Sequence, residues 1–302
     1  MSLQQRMSFI GITSIITIFV ILYMVWKYHL IKLSVRESFQ TVSSIKPSTK
    51  VAVAVLMRKP IDIFLWLKLH RNMGISHFFL RIEDTPGLED FLITQKDITF
   101  EMKTSSKGNN YETLQQRQID FVNQSMKQAK KMGISWLFHI DADEVLEGSL
   151  HFLDTLNEKY KCVKIENAEA IYQEGEETCF SAKKFLKCSE NGASCRSYVN
   201  GKGGGRVMEG VALAGPHDFS YQGKIGDEAT YKVPFDQLHI LHFDSCTFGS
   251  WSEKFQHLSK DAKNIPFTYY NDSVDASMKA YEVYQKYTMK KNIDPQHIYT
   301  RN

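Results

Sequence analysis

Three acids close the segment "SWLFHIDADEVL", Ser135 to Leu146: Asp141, Asp143 and Glu144 follow a run of mostly apolar residues. Carboxylates this close repel one another, and one of them stays protonated unless a cation lies between them. In an extended strand end, residues two apart project to the same side. The spacing predicts that Asp141 and Asp143 aim at one point while Ala142 faces the core. Glu144 then points the other way and braces the next turn. Hard divalent cations take oxygen ligands, and Mg²⁺ or Mn²⁺ commonly takes one or two carboxylates with substrate phosphates supplying the rest. An Asp-x-Asp at the mouth of a nucleotide-type sheet suits a metal–diphosphate site, where the cation neutralises charge on a leaving diphosphate. For Asp-x-Asp alone, a polar turn without a ligand is the plainer alternative.

The elements around the acids strengthen the metal reading. "VAVAVLMR" (Val51–Arg58) is a β-rich run expected of a strand covered on both faces. Ile63, Trp66, Leu67 and His70 fall at helical spacing, and Gly74 is a C-terminal stop. "SHFFLRIED" and "DITFEMK" read as two further strands, the first ending in Glu83 and Asp84. A long amphipathic helix, "ETLQQRQIDFVNQSMKQAKKMG", leads into "SWLFHI". This alternation predicts an open, mixed, mostly parallel α/β sheet with flanking helices. Such sheets bind ligands beyond the carboxyl ends of their strands, which is where Arg58, Glu83, Asp84, Asp141 and Asp143 lie. After Leu150 the pattern loosens: "CVKIENAEAIYQ" reads as a strand pair or one bent strand, and "FDQLHILHF" as a strand. "GSWSEKFQHLSKDA" and "SMKAYEVYQKYTM" read as helices. "GKGGGR" (Gly201–Arg206) lacks the GK[ST] ending of a P-loop and reads as a flexible acceptor or diphosphate loop.

The chain has 302 residues and a net charge of +3, with no Lys/Arg block long enough to track nucleic-acid phosphates. From Met7 to Trp26 no residue is charged, and about 20 apolar residues span a bilayer as a helix. The expected organisation is a short tail and single-pass transmembrane anchor over 1–26, a polar stem over 27–50 and a catalytic domain over 51–302. Lys27, Lys32 and Arg36 after the span favour a cytoplasmic domain by the positive-inside rule. The sequons at Asn123 and Asn271 do not decide the orientation. Five cysteines form neither a CxxC nor an even framework. Cys179, Cys188 and Cys195 cluster, and an oxidising compartment would allow one disulfide among them.

"LFHIDADEV" also matches the strand–Asp-x-Asp-x-Val pattern of haloacid-dehalogenase-like phosphatases, with Asp141 as nucleophile. That family carries the motif on its first strand; three strands are expected before it here, and "GDEATYK" lacks the family's later second Asp. The chain more closely resembles glycosyltransferases of the GT-A (Rossmann-like) fold, in particular family 92-like and family 2-like membrane-anchored enzymes. The resemblance rests on "WLKLHRNMGISHFFLRIEDT", "QRQIDFVNQSMKQAKKMGISWLFHIDADEVL", "GPHDFSYQG" and "LHILHFDSCTFGSWSEKF". It implies transfer of a sugar from a nucleotide-diphosphate sugar, UDP- or GDP-linked, to a glycan or glycoconjugate acceptor, with inversion and with Mn²⁺ or Mg²⁺. It also implies a Golgi or ER membrane protein with a lumenal domain, an orientation the charge flanks do not support.

The resemblance assigns roles as follows. Asp143 is the main metal ligand, and Asp141 touches the metal through water or holds ribose or sugar. His242 or His217 completes the metal shell; His239 and His242, three apart in "LHILH", face opposite sides of a strand. Glu83 or Asp84 binds the nucleoside. Arg58, Arg117 and Lys202 or Arg206 offset diphosphate charge. The acceptor base is Asp244, with Glu209 and Asp218 as alternatives. Trp251 and Phe267, Tyr269 and Tyr270 could stack on acceptor sugar, although aromatics of this kind more often pack in a core. A tethered sugar-binding module without catalysis is the remaining alternative.

Overall fold

The computed structural model describes residues 49–104, 113–172, 179–188, 195, 197–252 and 297–301. The chain divides between Ser48 and Thr49 into two units, and the described residues belong to the second. Their elements begin with β1 (Val51–Arg58), α1 (Ile63–Asn72), β2 (His77–Glu83), α2 (Glu89–Leu92), β3 (Ile98–Lys103) and α3 (Leu114–Lys131). There follow β4 (Trp136–His139), β5 (Glu144–Gly148), β6 (Cys162–Ile165), β7 (Asn167–Ile171), β8 (Lys184–Lys187) and β9 (Lys202–Arg206). The rest are β10 (Val211–Gly215), β11 (Asp218–Tyr221), β12 (Lys224–Ile225), β13 (Thr230–Lys232), β14 (Leu238–His242) and β15 (Ile298–Thr300).

Seven strands form the central sheet in the order β13-β6-β9-β4-β1-β2-β3. β1, β2, β3 and β4 run parallel, while β9 runs antiparallel to both β4 and β6. A strand order of 3-2-1-4 reverses between strands 1 and 4, and such a switch point opens a crevice at the carboxyl ends. Here it lies between β1 and β4, so the acids after β4 stand at its rim. Alternation along β1 divides the core. Val51, Val53, Val55 and Met57 join one cluster with Trp66, Phe78, Phe138 and Ile140. Ala52 and Ala54 join a second with Phe79, Phe121, Val122 and Leu137. α1 covers the first face and α3 the second, which is why β1 is apolar on both sides.

The helices follow their sequence signals. Asp62 Oδ1 accepts the Leu65 N–H at 2.9 Å as the N-cap of α1. Gly74 (φ 93°) and Gly133 (φ 67°) turn the chain after α1 and α3. "CVKIENAEAIYQ" is a strand pair whose halves enter different sheets. β6 joins the central sheet, and β7 joins a five-stranded one ordered β15-β8-β7-β14-β5. β5 and β14 pair antiparallel with His242 opposite Glu144. That register carries His242 to the acids, although 98 positions separate it from Glu144.

"GKGGGR" is not a flexible loop. It is β9, the antiparallel strand between β4 and β6. A Cβ on Gly204 would meet the Phe138 ring at 2.8 Å, and one on Gly205 would meet Phe219 and Val211 at 2.6 Å. The glycines let Phe138 and Phe219 approach the strand closely.

The single-pass membrane localisation is corrected. Among the described residues no helix is long and apolar enough to cross a membrane. The longest, α3, has 18 residues but carries Arg117, Asp120, Lys127, Lys130 and Lys131. The anchor expected over 7–26 lies outside the described residues. Two disulfides form, Cys179–Cys246 and Cys188–Cys195, where at most one was expected; they fit an oxidising environment. The Asn123 amide donates to Leu213 O at 3.2 Å and accepts the Leu213 N–H at 2.8 Å, so its sequon nitrogen already has a partner. Asn271 lies outside the described residues.

Candidate functional site

β4 ends at His139, and Asp141 to Asp143 form a turn in which the Glu144 N–H bonds to Asp141 O at 3.2 Å. A turn abolishes strand alternation, so Asp141 and Asp143 do not aim at one point. Glu144 braces the turn as expected: its Oε2 accepts the Asp141 N–H at 2.7 Å. α1 supports the same turn from below. Trp66 Nε1 donates to Glu144 O at 2.7 Å. His70 Nδ1 bonds to Trp66 O at 2.8 Å, and its Nε2 accepts the Leu146 N–H at 3.2 Å. Burial lowers the His70 pKa to about 4, so the ring is neutral and can serve as donor and acceptor at once. The Trp66 and His70 of the sequence resemblance therefore act structurally.

Asp141 turns toward Lys202. Its Oδ2 lies 2.5 Å from Lys202 Nζ, and its Oδ1 accepts Gln118 Nε2 at 2.9 Å. Lys202 Nζ is also 3.6 Å from Glu144 Oε2. Burial would raise the Asp141 pKa, but the Lys202 charge outweighs it and holds the carboxyl well below the usual range. Burial would lower Lys202, and Asp141 and Glu144 more than reverse that. Glu144 itself is raised, chiefly by burial against the opposing pull of Lys202. The Tyr198 hydroxyl donates to Glu144 Oε1, and burial beside that carboxylate holds the phenol far above its ordinary pKa.

Asp143 turns toward β14. Ligand atoms of Asp143, His242 and Asp244 all lie within 4.8 Å of one another. His242 Nε2 is 3.6 Å from Asp143 Oδ2, and the Phe243 N–H donates to Asp143 O at 2.8 Å. Burial would lower the His242 pKa, but Asp143, with Asp244 and Glu144, pushes it up to about 9. Two ligands on one ion at about 2.1–2.3 Å stand at most about 4.5 Å apart, so a small closure brings the three into one shell. His242 Nδ1 is buried without a hydrogen bond, and Glu169 Oε1 lies 3.9 Å from it. A carboxylate behind the second ring nitrogen is the usual outer partner of a metal-bound histidine. The donor set fits a divalent cation, and one imidazole beside two carboxylates favours a transition ion such as Mn²⁺ over Mg²⁺. Glu169, Cys188 and Cys195 also converge, but the disulfide removes both thiolates.

The remaining expected residues fall elsewhere. His217 Nδ1 bonds to Gly201 O at 2.8 Å, burial lowers its pKa to about 4, and it does not join the Asp143 cluster. His239 faces away, stacked on Phe235 at 4.1 Å. Arg117 makes two bonds to Glu83, at 2.9 and 3.0 Å, and Arg81 makes a third at 2.8 Å. Glu83 is 1% exposed and held by two guanidiniums, so it is not presented to a ribose. Arg58 and Asp84 pair across the ends of β1 and β2 at 3.4 Å. Lys202 is fully buried and cannot reach a diphosphate. Arg206 bonds to Tyr160 O and Leu156 O, at the far end of β9. Asp218 pairs with Lys164 at 2.5 Å, and Glu209 is exposed. Asp244 is 4% exposed and accepts Ser197 Oγ at 2.7 Å and Ser245 Oγ at 2.9 Å, which suits a ligand better than an acceptor base. Trp251 is fully buried and packs in the core rather than offering a face to sugar. Phe267, Tyr269 and Tyr270 lie outside the described residues.

Sequence reasoning missed Tyr198, Gln118, Glu169 and Ser197. Tyr198 joins the two clusters, with its ring 5.1 Å from His242 and its hydroxyl on Glu144. Nothing in its local sequence signals this; Gln118 alone had a cue, on the buried face of an amphipathic helix.

No family model and no curated protein matches the sequence. Among solved structures, HddC from Yersinia pseudotuberculosis is similar at 10% identity, over 64% of this chain and 76% of that one, with a TM-score of 0.27. At that score the likeness carries no argument about fold or chemistry.

Proposed function

We propose that this chain is a glycosyltransferase of the GT-A kind, moving sugar from a nucleotide-diphosphate donor to a glycan or glycoconjugate acceptor with the aid of a divalent cation. One observation carries the reading. Asp143, His242 and Asp244 converge beyond the carboxyl ends of the parallel strands β1 and β4, at the switch point of the central sheet. These three residues would hold Mn²⁺ or Mg²⁺. When bound, the ion would neutralise charge developing on the leaving diphosphate. The chain's own part is positioning. Trp66 and His70 fix the turn, the β5–β14 pairing delivers His242, and Ser197 and Ser245 orient Asp244. Arg58 and Asp84, at the ends of β1 and β2, line the nucleoside side of the same edge. Asp141 keeps 35% of its side chain exposed, so it can still meet ribose or sugar while Lys202 holds it.

Phosphoryl transfer with Asp141 as nucleophile gains no support, because both its oxygens accept hydrogen bonds from Lys202 and Gln118. Screening UDP- and GDP-sugars for Mn²⁺-dependent hydrolysis and thermal stabilisation tests the proposal. Stabilisation by a nucleotide sugar only with the ion present is expected. Equal turnover in excess chelator would refute it.

A further inference from the structure

We propose that Lys202 is a positioning residue of this site: a resident cation that keeps Asp141 out of the metal shell and leaves Asp143 as the one ligand from the Asp141–Glu144 turn. The inference rests on the metal-centre reading above and concerns how that centre is built.

Lys202 has no exposed side-chain surface, so its charge serves the protein interior. Its ammonium lies 2.5 Å from Asp141 Oδ2, 3.6 Å from Glu144 Oε2 and 3.4 Å from Pro216 O, with the Tyr198 ring centroid at 5.5 Å. Asp141 is thereby held at three points. Lys202 takes one oxygen, Gln118 the other, and the Glu144 carboxylate takes the backbone N–H. A carboxylate so held cannot swing to the Asp143–His242–Asp244 cluster, and Asp141 is absent from that cluster.

β9 explains how an ammonium reaches this point. Gly203 pairs with His139, the last residue of β4, so Lys202 emerges one residue beyond it, beside the turn. The glycines that follow allow β9 to lie against Phe138. A larger residue at Gly204 would push the strand, and Lys202 with it, away from Asp141. Buried ion pairs rarely gain net stability over well-packed apolar residues, because desolvation offsets the attraction. Fixing geometry is the use left to this one: three clustered acids would otherwise compete for the same ion. With one acid matched by a covalently attached cation, a single divalent ion suffices for the rest.

A double-mutant cycle read by Mn²⁺ binding tests this. Calorimetric titration of MnCl₂ into the full chain gives affinity and stoichiometry, with circular dichroism reporting the fold. The variants are Asp141→Asn, Lys202→Met, the pair together, and Asp143→Asn as reference. One ion per wild-type chain is expected, weakened less than tenfold by Asp141→Asn and at least a hundredfold by Asp143→Asn. With Lys202→Met, Asp141 is released and enters the shell, so adding Asp141→Asn then weakens binding tenfold or more. Lys202→Arg, which keeps the charge, restores the insensitivity to Asp141→Asn. A tenfold or greater loss from Asp141→Asn with Lys202 intact overturns the inference, as does an equal effect in both backgrounds. If Lys202→Met does not fold, Lys202→Gln takes its place in the cycle with the same two outcomes. Wild-type chain that binds no Mn²⁺ overturns the metal centre itself, an outcome distinct from binding that depends on Asp141.

Discussion

On one side of the Asp141–Asp143 turn the positive partner is an ammonium sealed in the sheet; on the other it is an imidazole that can give up its proton. Lys202 cannot leave Asp141, whereas in the proposed site a divalent cation would take the place of the His242 proton, between the ring and Asp143. The fixed side determines where the turn sits, and the exchangeable side is where a ligand can be bound and released. Two aspartates, two residues apart, thus differ by what stands opposite each: Lys202 beside Asp141 and His242 beside Asp143.

Breaking the exchangeable side has the largest consequence. Asp143→Ala is expected to lower metal-dependent donor turnover by about 10²–10³-fold or more while the melting temperature stays near wild type; a variant with wild-type turnover would place the chemistry elsewhere. Breaking the fixed side acts on the fold. Lys202→Met leaves Asp141 and Glu144 without their cation, and denaturant unfolding is expected to show a loss of about 3–5 kcal/mol. Gly204→Ala presses a methyl group against Phe138 and disturbs the strand that carries Lys202. A loss of about 1–3 kcal/mol is expected from the overpacking, checked by the same unfolding titration.

The imidazoles sharpen the contrast through pH. His70 and His139 are buried with pKa values lowered to about 4. Below about 6.5 the unfolded chain binds protons there that the folded chain does not. Stability is therefore expected to fall as pH drops from about 6.5 toward 4. His242, raised to about 9, works in reverse: it contributes below about 6.5 and that contribution is lost as pH rises through 9. Melted across both windows, His70→Gln should make the acid limb shallower without abolishing it, since His139 and His217 share it, and His242→Gln should change only the alkaline limb. The smallest effect is expected for the Lys164–Asp218 pair, partly exposed at 22% and 31%. Asp218→Asn should cost under about 1 kcal/mol and leave donor hydrolysis intact; a large loss of turnover would restore Asp218 as a base.

Much of the scaffold was legible because its signals are local. The double-faced burial of β1, the spacing of Ile63, Trp66, Leu67 and His70, and the stops at Gly74 and Gly133 all appear where expected. Glycine misled at β9. A run of three was taken for flexibility, whereas here it records close approach of Phe138 and Phe219, which only neighbours distant in sequence reveal. Charged residues misled in another way. Arg58, Glu83 and Asp84 lie at strand ends as predicted, yet they, Arg117 and Lys202 pair with one another or with Asp141, because like and unlike charges sort by tertiary distance. Trp251 shows the same limit for aromatics, since a ring that could stack on sugar is indistinguishable in sequence from one that fills a core.

What this sequence determined alone was a mostly parallel α/β scaffold, an acid cluster at the end of its fourth strand, and that His239 and His242 face opposite sides of theirs. Those follow from periodicity and from the two-residue repeat of a strand. The division of labour between Asp141 and Asp143 was decided only in three dimensions. A single turn ended the alternation, β9 brought an ammonium to one acid, and the β5–β14 register brought an imidazole and a second carboxylate to the other.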